Sequence, residues 1–242
     1  MFSRELVVLP SDVSCLGIIK LRNLLNYFQD TASIAVQDIE GTTTELIAKG
    51  YAWVLTKYEI EFLERLPALD EKFFIKTFHD PNHAYNSLRV FQVFNSNNNL
   101  IAWAKTSWLL LDLAAGRPVK PAVHLPELLT RDSQEIAPEF KDIPKMPDEF
   151  NEISQQVCFH DLDYNSHVNN AVYFEWVFEA TPLDLMTHEL KSVYANFRSG
   201  VKAGENVKIQ IARTNSDNNI FLYNILRENV IKPSATFMCC WK

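Results

Sequence analysis

The chain has 242 residues, of which 47% are hydrophobic and 22% are charged, with a formal net charge of −7. This composition is typical of a globular protein with one large domain or two ordinary ones, and it argues against a general nucleic-acid binder, which needs clustered Lys and Arg. The six glycines form neither a G-x-G-x-x-G nor a G-x-x-x-x-G-K spacing, which excludes the usual phosphate-binding loops. Because the sequence has no membrane-length apolar run and no signal peptide, we expect a cytoplasmic protein without a membrane span.

The first half begins with a strand at residues 5–9, followed by a helix. Apolar side chains keep a helical period in that segment, at Leu21, Leu24, Leu25, Phe28 and Ala32. Strands are predicted at residues 46–58, 72–78, 88–95 and 100–111. The asparagine-rich residues 95–99 predict a hairpin turn between the last two strands.

The middle of the chain is rich in proline. Six of the eleven prolines fall within residues 113–150, and this stretch lacks sustained apolar periodicity. Because proline fixes φ and removes a hydrogen-bond donor, we expect an irregular connector here, with a short helix near residues 127–130. The connector would separate an N-terminal domain, residues 1–112, from a C-terminal domain, residues 151–242.

The second half repeats this order of elements. A strand at residues 153–160 precedes a helix marked by Val168, Val172, Tyr173, Trp176 and Ala180. Strands are predicted at residues 190–198, 205–214, 219–228 and 234–241, with a hairpin turn at 215–218.

A shift of 148 residues superimposes the two predicted helices, with Leu24 on Val172 and Phe28 on Trp176. We therefore predict an α+β fold made of two copies of one unit, each a long helix wrapped by a curved antiparallel sheet. Strand edges from the two copies can pair, which would join them into a pseudo-dimer.

Metal and redox sites are not expected. The four cysteines form no C-x-x-C pair, so neither zinc nor redox spacing is present, and we expect reduced, mostly buried thiols. His79 and His83 have the i, i+4 spacing of a helical metal site, but Pro81 between them breaks such a helix. We expect no metal and no cofactor.

The residues before the second helix differ from those before the first. The same shift places Cys15, Gly17 and Ile19 opposite a carboxylate, a carboxamide and an imidazole, which belong to Asp163, Asn165 and His167. One interpretation is helix capping, in which Asn165 or Ser166 accepts first-turn N–H groups and Asp163 complements the positive helix end. The other is acyl hydrolysis, in which these groups hold a water, a thioester carbonyl and its developing charge.

The run from Asp161 to Trp176 reads D-x-D-x-N-x-H-V-N-N-x-x-Y-x-x-W and is followed by Glu179. It resembles the signature of acyl-[acyl-carrier-protein] thioesterases of the tandem hotdog fold. The likeness extends to the first half. Its matching segments are Gln29-Asp30-Thr31-Ala32, Trp53-Val54-Leu55, and Ala104-Lys105-Thr106-Ser107-Trp108 before Arg117.

The resemblance implies release of a free fatty acid from acyl carrier protein, with the acyl chain in a tunnel between helix and sheet. The N-terminal domain would bind the acyl chain, and the C-terminal domain would be catalytic. Asp163, Asn165 and His167 fall on the family's catalytic positions. Plant members carry an adjacent Glu-Cys pair after an aromatic-Arg-Arg stretch. Here residues 196–201 contain neither Glu nor Cys, which argues against a thiol mechanism.

Other charged and aromatic residues have roles that the sequence leaves open. Glu179 is either a reserve carboxylate or an exposed charge at a helix end. Large aromatic side chains could line the tunnel or fill the core: Trp53, Trp103, Trp108, Tyr173 and Trp176. Basic residues could dock the acidic carrier protein: Arg117, Lys120, Arg198, Lys202 and Lys208.

Alternative functions stay open on the sequence alone. An acyl-CoA thioesterase would share the fold and the site. A non-catalytic acyl-thioester binding module would share the fold, although binding alone does not need an Asp-Asn-His set. The chain could act alone or as a homodimer.

Overall fold

A computed structural model describes residues 1–37, 42–80, 85–125, 139–214 and 219–242. The chain forms two compact units, Met1–Glu139 and Phe140–Lys242. Each unit combines antiparallel strands with a longer helix, which confirms the predicted α+β fold. Within the described ranges, no helix is long and apolar enough to cross a membrane.

The first unit begins with a strand, a long helix and a short helix, and continues mainly as strands. Its elements are β1 (Phe2–Val7), α1 (Leu21–Ile34), α2 (Thr43–Ala48), β2 (Tyr51–Phe62), β3 (Lys72–Asp80), β4 (Asn86–Asn95), β5 (Leu100–Asp112), β6 (Arg117–Val119) and α3 (Pro121–His124). The strands pair antiparallel in the order β1-β3-β4-β5-β2, and β6 pairs with β5.

Helix α1 buries one stripe of side chains in the first unit. Leu21, Leu24, Leu25 and Phe28 are buried at positions one helical turn apart, as the apolar period predicts. The Phe28 ring stacks on Phe91 of β4, with ring centroids 4.7 Å apart. The predicted hairpin between β4 and β5 is confirmed, since its backbone closes from Asn95 to Asn99.

The second unit has the same plan. Its elements are β7 (Asn151–Gln156), a 3₁₀ turn (Phe159–Asp161), α4 (Asn170–Ala180), a second 3₁₀ turn (Leu183–Thr187), β8 (Leu190–Phe197), β9 (Asn206–Arg213), β10 (Ile220–Arg227) and β11 (Ala235–Trp241). The strands pair antiparallel in the order β8-β11-β10-β9-β7.

Helix α4 packs on this sheet through aromatic side chains. Tyr173 meets Phe197 of β8 edge to face, and Phe174 meets Phe237 of β11 in the same way. The helix ends at Ala180, shortly before Pro182, which cannot continue it.

Part of the predicted connector covers the other face of the second sheet. Ile143 and Met146 pack against a cluster of side chains that alternate with those facing α4, namely Tyr194, Leu222 and Met238. The Lys141 ammonium donates to the Tyr194 hydroxyl at 2.8 Å. This cover explains why an apolar set on the outer face of the sheet avoids water.

Three predicted segments differ in the structure. The strand predicted at residues 153–160 ends at Gln156, and Phe159 and His160 belong to a 3₁₀ turn. Residues 46–48 belong to α2 rather than to a strand, because Thr42 and Glu45 form a reciprocal capping box at its start. The predicted connector is more regular than expected, since it contains β6 and α3. The expected helix at 127–130 and the expected turn at 215–218 lie outside the described residues.

The loop before α1 matches the loop before α4 when residue numbers are shifted by 149. The shift of 148 predicted from the helix patterns is therefore wrong by one residue for these loops. In each loop the residue before the helix donates its N–H to an aspartate carbonyl, at 2.8 Å in both. Each loop also has one residue in the left-handed region, Gly17 at φ 72° and Ser166 at φ 60°. The structural equivalents of Asp163, Asn165 and His167 are therefore Ser14, Leu16 and Ile18.

The one-residue error has a physical cause. Helix α4 is buried at both Val172 and Tyr173, and again at both Trp176 and Val177. A helix that is apolar around most of its circumference matches the single stripe of α1 under either shift. The loop hydrogen bonds decide between the two shifts, and the first unit still lacks the polar set.

Candidate active site

The candidate residues lie on a short closed loop that leads into α4. Leu162 and Val168 form an antiparallel bridge at its base. Within it, the Asp163 N–H donates to the His167 carbonyl at 2.7 Å, and the Ser166 N–H donates to the Asp163 carbonyl at 3.0 Å. This closure holds Asp163, Asn165 and His167 on a single turn of backbone.

The Asp163 carboxylate is anchored by the loop itself. Its Oδ1 accepts the Asn165 N–H at 2.8 Å and the His167 N–H at 3.4 Å. In the first unit, the Ser14 hydroxyl accepts the Leu16 N–H at 3.2 Å in the equivalent place. A hydroxyl is thus sufficient for the turn, and the turn alone does not explain the carboxylate at 163.

The helix cap is supplied by another residue. The Asn169 side chain accepts the Ala171 N–H at 2.9 Å at the start of α4, so the expectation that Asn165 or Ser166 caps this helix is wrong. Asn165 is exposed. Within the part of the chain that the structure describes, neither the Asn165 carboxamide nor the His167 imidazole makes a hydrogen bond. Both groups are available to a bound molecule.

The segment after β8 supports the loop from one side. The Val168 N–H donates to the Val201 carbonyl at 2.9 Å, and the Val201 N–H donates to the Tyr173 hydroxyl at 3.2 Å. Gly200 lies directly against the His167 ring. This contact was not predictable from the sequence, because a glycine in an irregular segment gives no signal of which side chain it contacts.

The Tyr173 hydroxyl is kept neutral by its surroundings. Burial raises the pKa of Tyr173, and the nearby carboxylates of Glu205 and Asp163 act in the same direction. The Val201 N–H and the Arg227 guanidinium oppose this shift without reversing it. Arg227 and Glu205 form an ion pair at 3.7 Å. Tyr173 therefore keeps its proton and serves as a hydrogen-bonding anchor in the buried helix face.

Glu179 lies far from the loop. It is exposed on the last turn of α4, nine residues after Asn170, which corresponds to about 14 Å along a helix axis. This position favours an exposed charge over a reserve carboxylate.

The thiols also lie outside the candidate set. The expectation of mostly buried cysteines is wrong, since Cys15 and Cys158 are exposed and Cys239 alone of the four is buried. The Cys158 thiol lies 3.7 Å from the Gln156 carbonyl. Cys239 is buried, and burial raises the pKa of its thiol, which disfavours the nucleophilic thiolate. His83, part of the rejected metal pair, lies outside the described residues.

The aromatic side chains named from the sequence are distributed over both units. Tyr173 and Trp176 are buried on α4. Trp53 packs against a cluster that includes Leu46 and Leu110, and the Trp108 indole donates to the Thr106 hydroxyl at 2.8 Å. Trp53 and Trp108 therefore have structural contacts of their own.

The basic candidates differ in their surroundings. Arg198 and Lys202 are exposed two residues on either side of Gly200, so they flank the loop that carries His167. Lys208 is paired with Glu152 at 2.8 Å, which offsets its charge. Arg117 and Lys120 are exposed in the first unit.

Two helix-on-sheet units, one with a carboxylate, a carboxamide and an imidazole on the loop before its helix, define a tandem protein of the hotdog type. The chain belongs to the acyl-ACP thioesterase family. The model of the acyl-ACP thioesterase N-terminal domain matches residues 1–124, and that of the C-terminal domain matches residues 145–237.

Curated relatives include two plant proteins. A chloroplastic palmitoyl-acyl carrier protein thioesterase from Gossypium hirsutum is 23% identical over 237 residues, which cover 90% of this chain and 56% of that protein. A chloroplastic oleoyl-acyl carrier protein thioesterase 2 from Arabidopsis thaliana is 23% identical over 223 residues, which cover 81% of this chain and 59% of that protein. The chain thus spans little more than half the length of these relatives.

Solved structures share the fold. An acyl-ACP thioesterase from Bacteroides thetaiotaomicron matches with a TM-score of 0.82 at 18% identity, covering 99% of this chain and 97% of that one. The 12:0-ACP thioesterase from Umbellularia californica matches with a TM-score of 0.85 at 16% identity, covering 100% and 96% respectively.

Proposed function

We propose that this protein hydrolyses the thioester bond of fatty acyl-[acyl carrier protein], which releases a free fatty acid and ends acyl-chain elongation. The main support is family membership in both halves of the chain. The geometry of the loop adds to it, because the Asn165 carboxamide and the His167 imidazole make no hydrogen bond to any residue that the structure describes.

The proposed reaction is direct attack by water. Asp163, oriented through Oδ1 by two loop N–H groups, uses its other oxygen to orient a water and accept its proton. The water oxygen bonds to the thioester carbon, and Asn165 donates to the carbonyl oxygen as charge develops there. The C–S bond then breaks, and His167 hydrogen-bonds to the leaving thiolate of the carrier's prosthetic group. This thiolate takes up the proton that Asp163 accepted from the water.

A cysteine nucleophile has no support in this chain. The residues that would align with the plant Glu-Cys pair include Gly200, which lacks any side chain. Asp163 is the carboxylate on the loop that carries His167 and Asn165, so we assign it the role of base.

We assign the acyl-chain site to residues 1–112, the connection to 113–150 and catalysis to 151–242.

Arg198 and Lys202 are the docking residues we favour for the acidic carrier, because they flank the loop and are exposed. A cytoplasmic location is part of the proposal, supported by four free cysteines, which are typical of reducing compartments. A homodimer stays a prediction that sedimentation would test.

The decisive experiment uses the full chain with carrier-protein thioesters from short to long acyl chains, and follows the release of free thiol. We expect turnover of at least one chain length by the wild-type protein. We also expect a loss of roughly 10²- to 10³-fold in the His167→Ala variant, because a hydrogen bond to the developing charge is lost. Circular dichroism is used to check that this variant is folded. Absence of turnover across the panel would overturn the proposal.

The same assay separates the alternatives. Each acyl group is presented on carrier protein and on coenzyme A, and kcat/KM is compared for the two carriers. A higher value for coenzyme A would favour an acyl-CoA thioesterase. Tight binding of the thioester without thiol release would favour a binding module.

A further inference from the structure

Gly200 differs from the other glycines that the structure describes. Gly17, Gly50, Gly116 and Gly204 all have φ between 62° and 83°, and a Cβ added to any of them would meet nothing within 4 Å. These four satisfy a backbone requirement, because the left-handed region disfavours residues with a Cβ. Gly200 lies outside that region, so its backbone does not require glycine.

What Gly200 lacks is room for a side chain. A Cβ built on it would lie 2.6 Å from Cδ2 of His167, 3.2 Å from Cγ and 3.4 Å from Nε2. The first of these distances is about 1 Å shorter than an ordinary carbon–carbon contact. The imidazole therefore occupies the space in which the side chain of residue 200 would lie.

The backbone around Gly200 is held on both sides, so it cannot easily retreat. Before it, the Arg198 N–H donates to the Ser234 carbonyl at 2.8 Å, and the Ser199 hydroxyl donates to that of Ser234 at 3.1 Å. After it, Val201 is bonded through its carbonyl to Val168 and through its N–H to Tyr173. An added methyl group would displace the His167 ring, which can rotate, rather than the chain.

We propose that Gly200 is a positioning residue, which sets the orientation of the His167 imidazole by offering a bare backbone surface for it to lie against. This role rests on the proposed hydrolytic function of His167. Its mechanical part, the displacement of the ring, can be measured whether or not the protein is a thioesterase.

The test introduces Gly200→Ala, with Ala203→Ser as the control because it also adds a single heavy atom, at an exposed position of the same segment. A ring displaced by about 1 Å should lower kcat roughly 100-fold and leave KM within about twofold, because binding of the acyl carrier does not depend on the ring. Ala203→Ser should keep the wild-type kcat.

A double variant shows whether Gly200 acts through His167. In a His167→Ala background the ring is absent, so Gly200→Ala should cause no further loss of kcat and no further loss of thermal stability. Equal losses in both backgrounds would overturn the proposal. The double variant also answers the question if Gly200→Ala alone folds poorly, because it should then recover its fold.

The second readout does not depend on activity. In protein labelled with ¹³C-histidine, the His167 ring signals are identified by their absence from His167→Ala. They should shift in Gly200→Ala and stay in place in Ala203→Ser. Unchanged ring signals in Gly200→Ala would overturn the positioning role. Shifted signals in a protein without thioesterase activity would support ring positioning and contradict only the proposed function.

Discussion

Asp163 combines a structural and a proposed chemical role, and the first unit shows how to separate them. Ser14 holds the equivalent loop with a hydroxyl that accepts the Leu16 N–H, as Asp163 Oδ1 accepts the Asn165 N–H. A serine at 163 can therefore keep the turn while removing the carboxylate. Substitution by alanine would change both properties at once.

We predict that Asp163→Ser lowers kcat/KM for acyl carrier protein thioesters by roughly 10²- to 10⁴-fold, because a positioned base contributes that much. Its free energy of unfolding should change by less than about 1 kcal/mol, since the loop hydrogen bond can be remade. Thiol-release kinetics and urea unfolding measure the two quantities. Ser14→Ala is the matched control and should keep full activity. A folded Asp163→Ser protein with near-normal turnover would remove Asp163 from the mechanism.

The polar residues of the candidate site stand out in the sequence, but their contacts were not predictable from it. Asp163, Asn165 and His167 stand out as a set of functional groups at alternate positions before a helix. The contact of His167 with Gly200 joins residues 33 positions apart in the sequence, and a glycine carries no pattern that names its partner. Long-range contacts of this kind depend on where strand β8 ends relative to α4.

At the scale of elements, two asparagines near the start of α4 have separate tasks. Asn169 caps the helix through its side chain, whereas Asn165 is exposed and its carboxamide makes no hydrogen bond within the described residues. The sequence does not show which of the two caps the helix, because asparagine is a favoured cap residue at any helix start.

We predict opposite effects for the two alanine variants. Asn169→Ala should lower the free energy of unfolding by about 1 kcal/mol through the lost cap and keep most of its activity when folded. Asn165→Ala should change stability by no more than about 0.5 kcal/mol and lower kcat by roughly 10²- to 10³-fold, as expected for a lost oxyanion donor. Thermal unfolding and thiol release, measured on both proteins, check the pair. An Asn165→Ala protein that is destabilised but fully active would identify Asn165 as structural.

The elements themselves were largely predictable from local patterns. The apolar period located α1 and α4, and the asparagine-rich turn located the β4–β5 hairpin. The misassigned start of β2 had a local signal too, since Thr42 and Glu45 carry the spacing of a capping box. The apolar period could not decide whether the two halves match with a shift of 148 or of 149 residues, because the buried positions of α4 fit both shifts equally well.

At the scale of the whole molecule, the two units share a backbone plan but not a chemical one. The loop of the first unit carries Ser14, Leu16 and Ile18 where the second carries Asp163, Asn165 and His167. The backbone hydrogen bonds are kept with either set, so the fold does not require the polar groups. Of these two loops, the one in the second unit carries the groups that the proposed hydrolysis needs.

Stability of the whole molecule should depend on a buried histidine in the first unit. His79 on β3 contacts the Arg89 guanidinium on β4 and lies 3.3 Å from the Ser87 hydroxyl. Burial, followed by the charge of Arg89, lowers the pKa of His79 well below its ordinary value. The folded protein therefore holds His79 neutral, whereas the unfolded chain protonates it near pH 6.5.

We predict that His79 makes the free energy of unfolding depend on pH only below about pH 6.5. As the pH drops below this value the free energy of unfolding decreases, and the decrease stops when the pH reaches the lower pKa that His79 has in the folded protein. The sign follows from linkage, because the unfolded chain binds the proton that the folded state excludes. One such group contributes a slope of up to about 1.4 kcal/mol per pH unit. Urea unfolding at intervals between pH 7.5 and 5.5 measures this slope.

Two variants test whether His79 causes the slope. His79→Gln should flatten it, because glutamine does not titrate. Thr77→Val removes the hydroxyl that Arg89 contacts at 3.2 Å and should shift stability equally at every pH. If His79→Gln kept the wild-type slope, the pH dependence would originate from other groups.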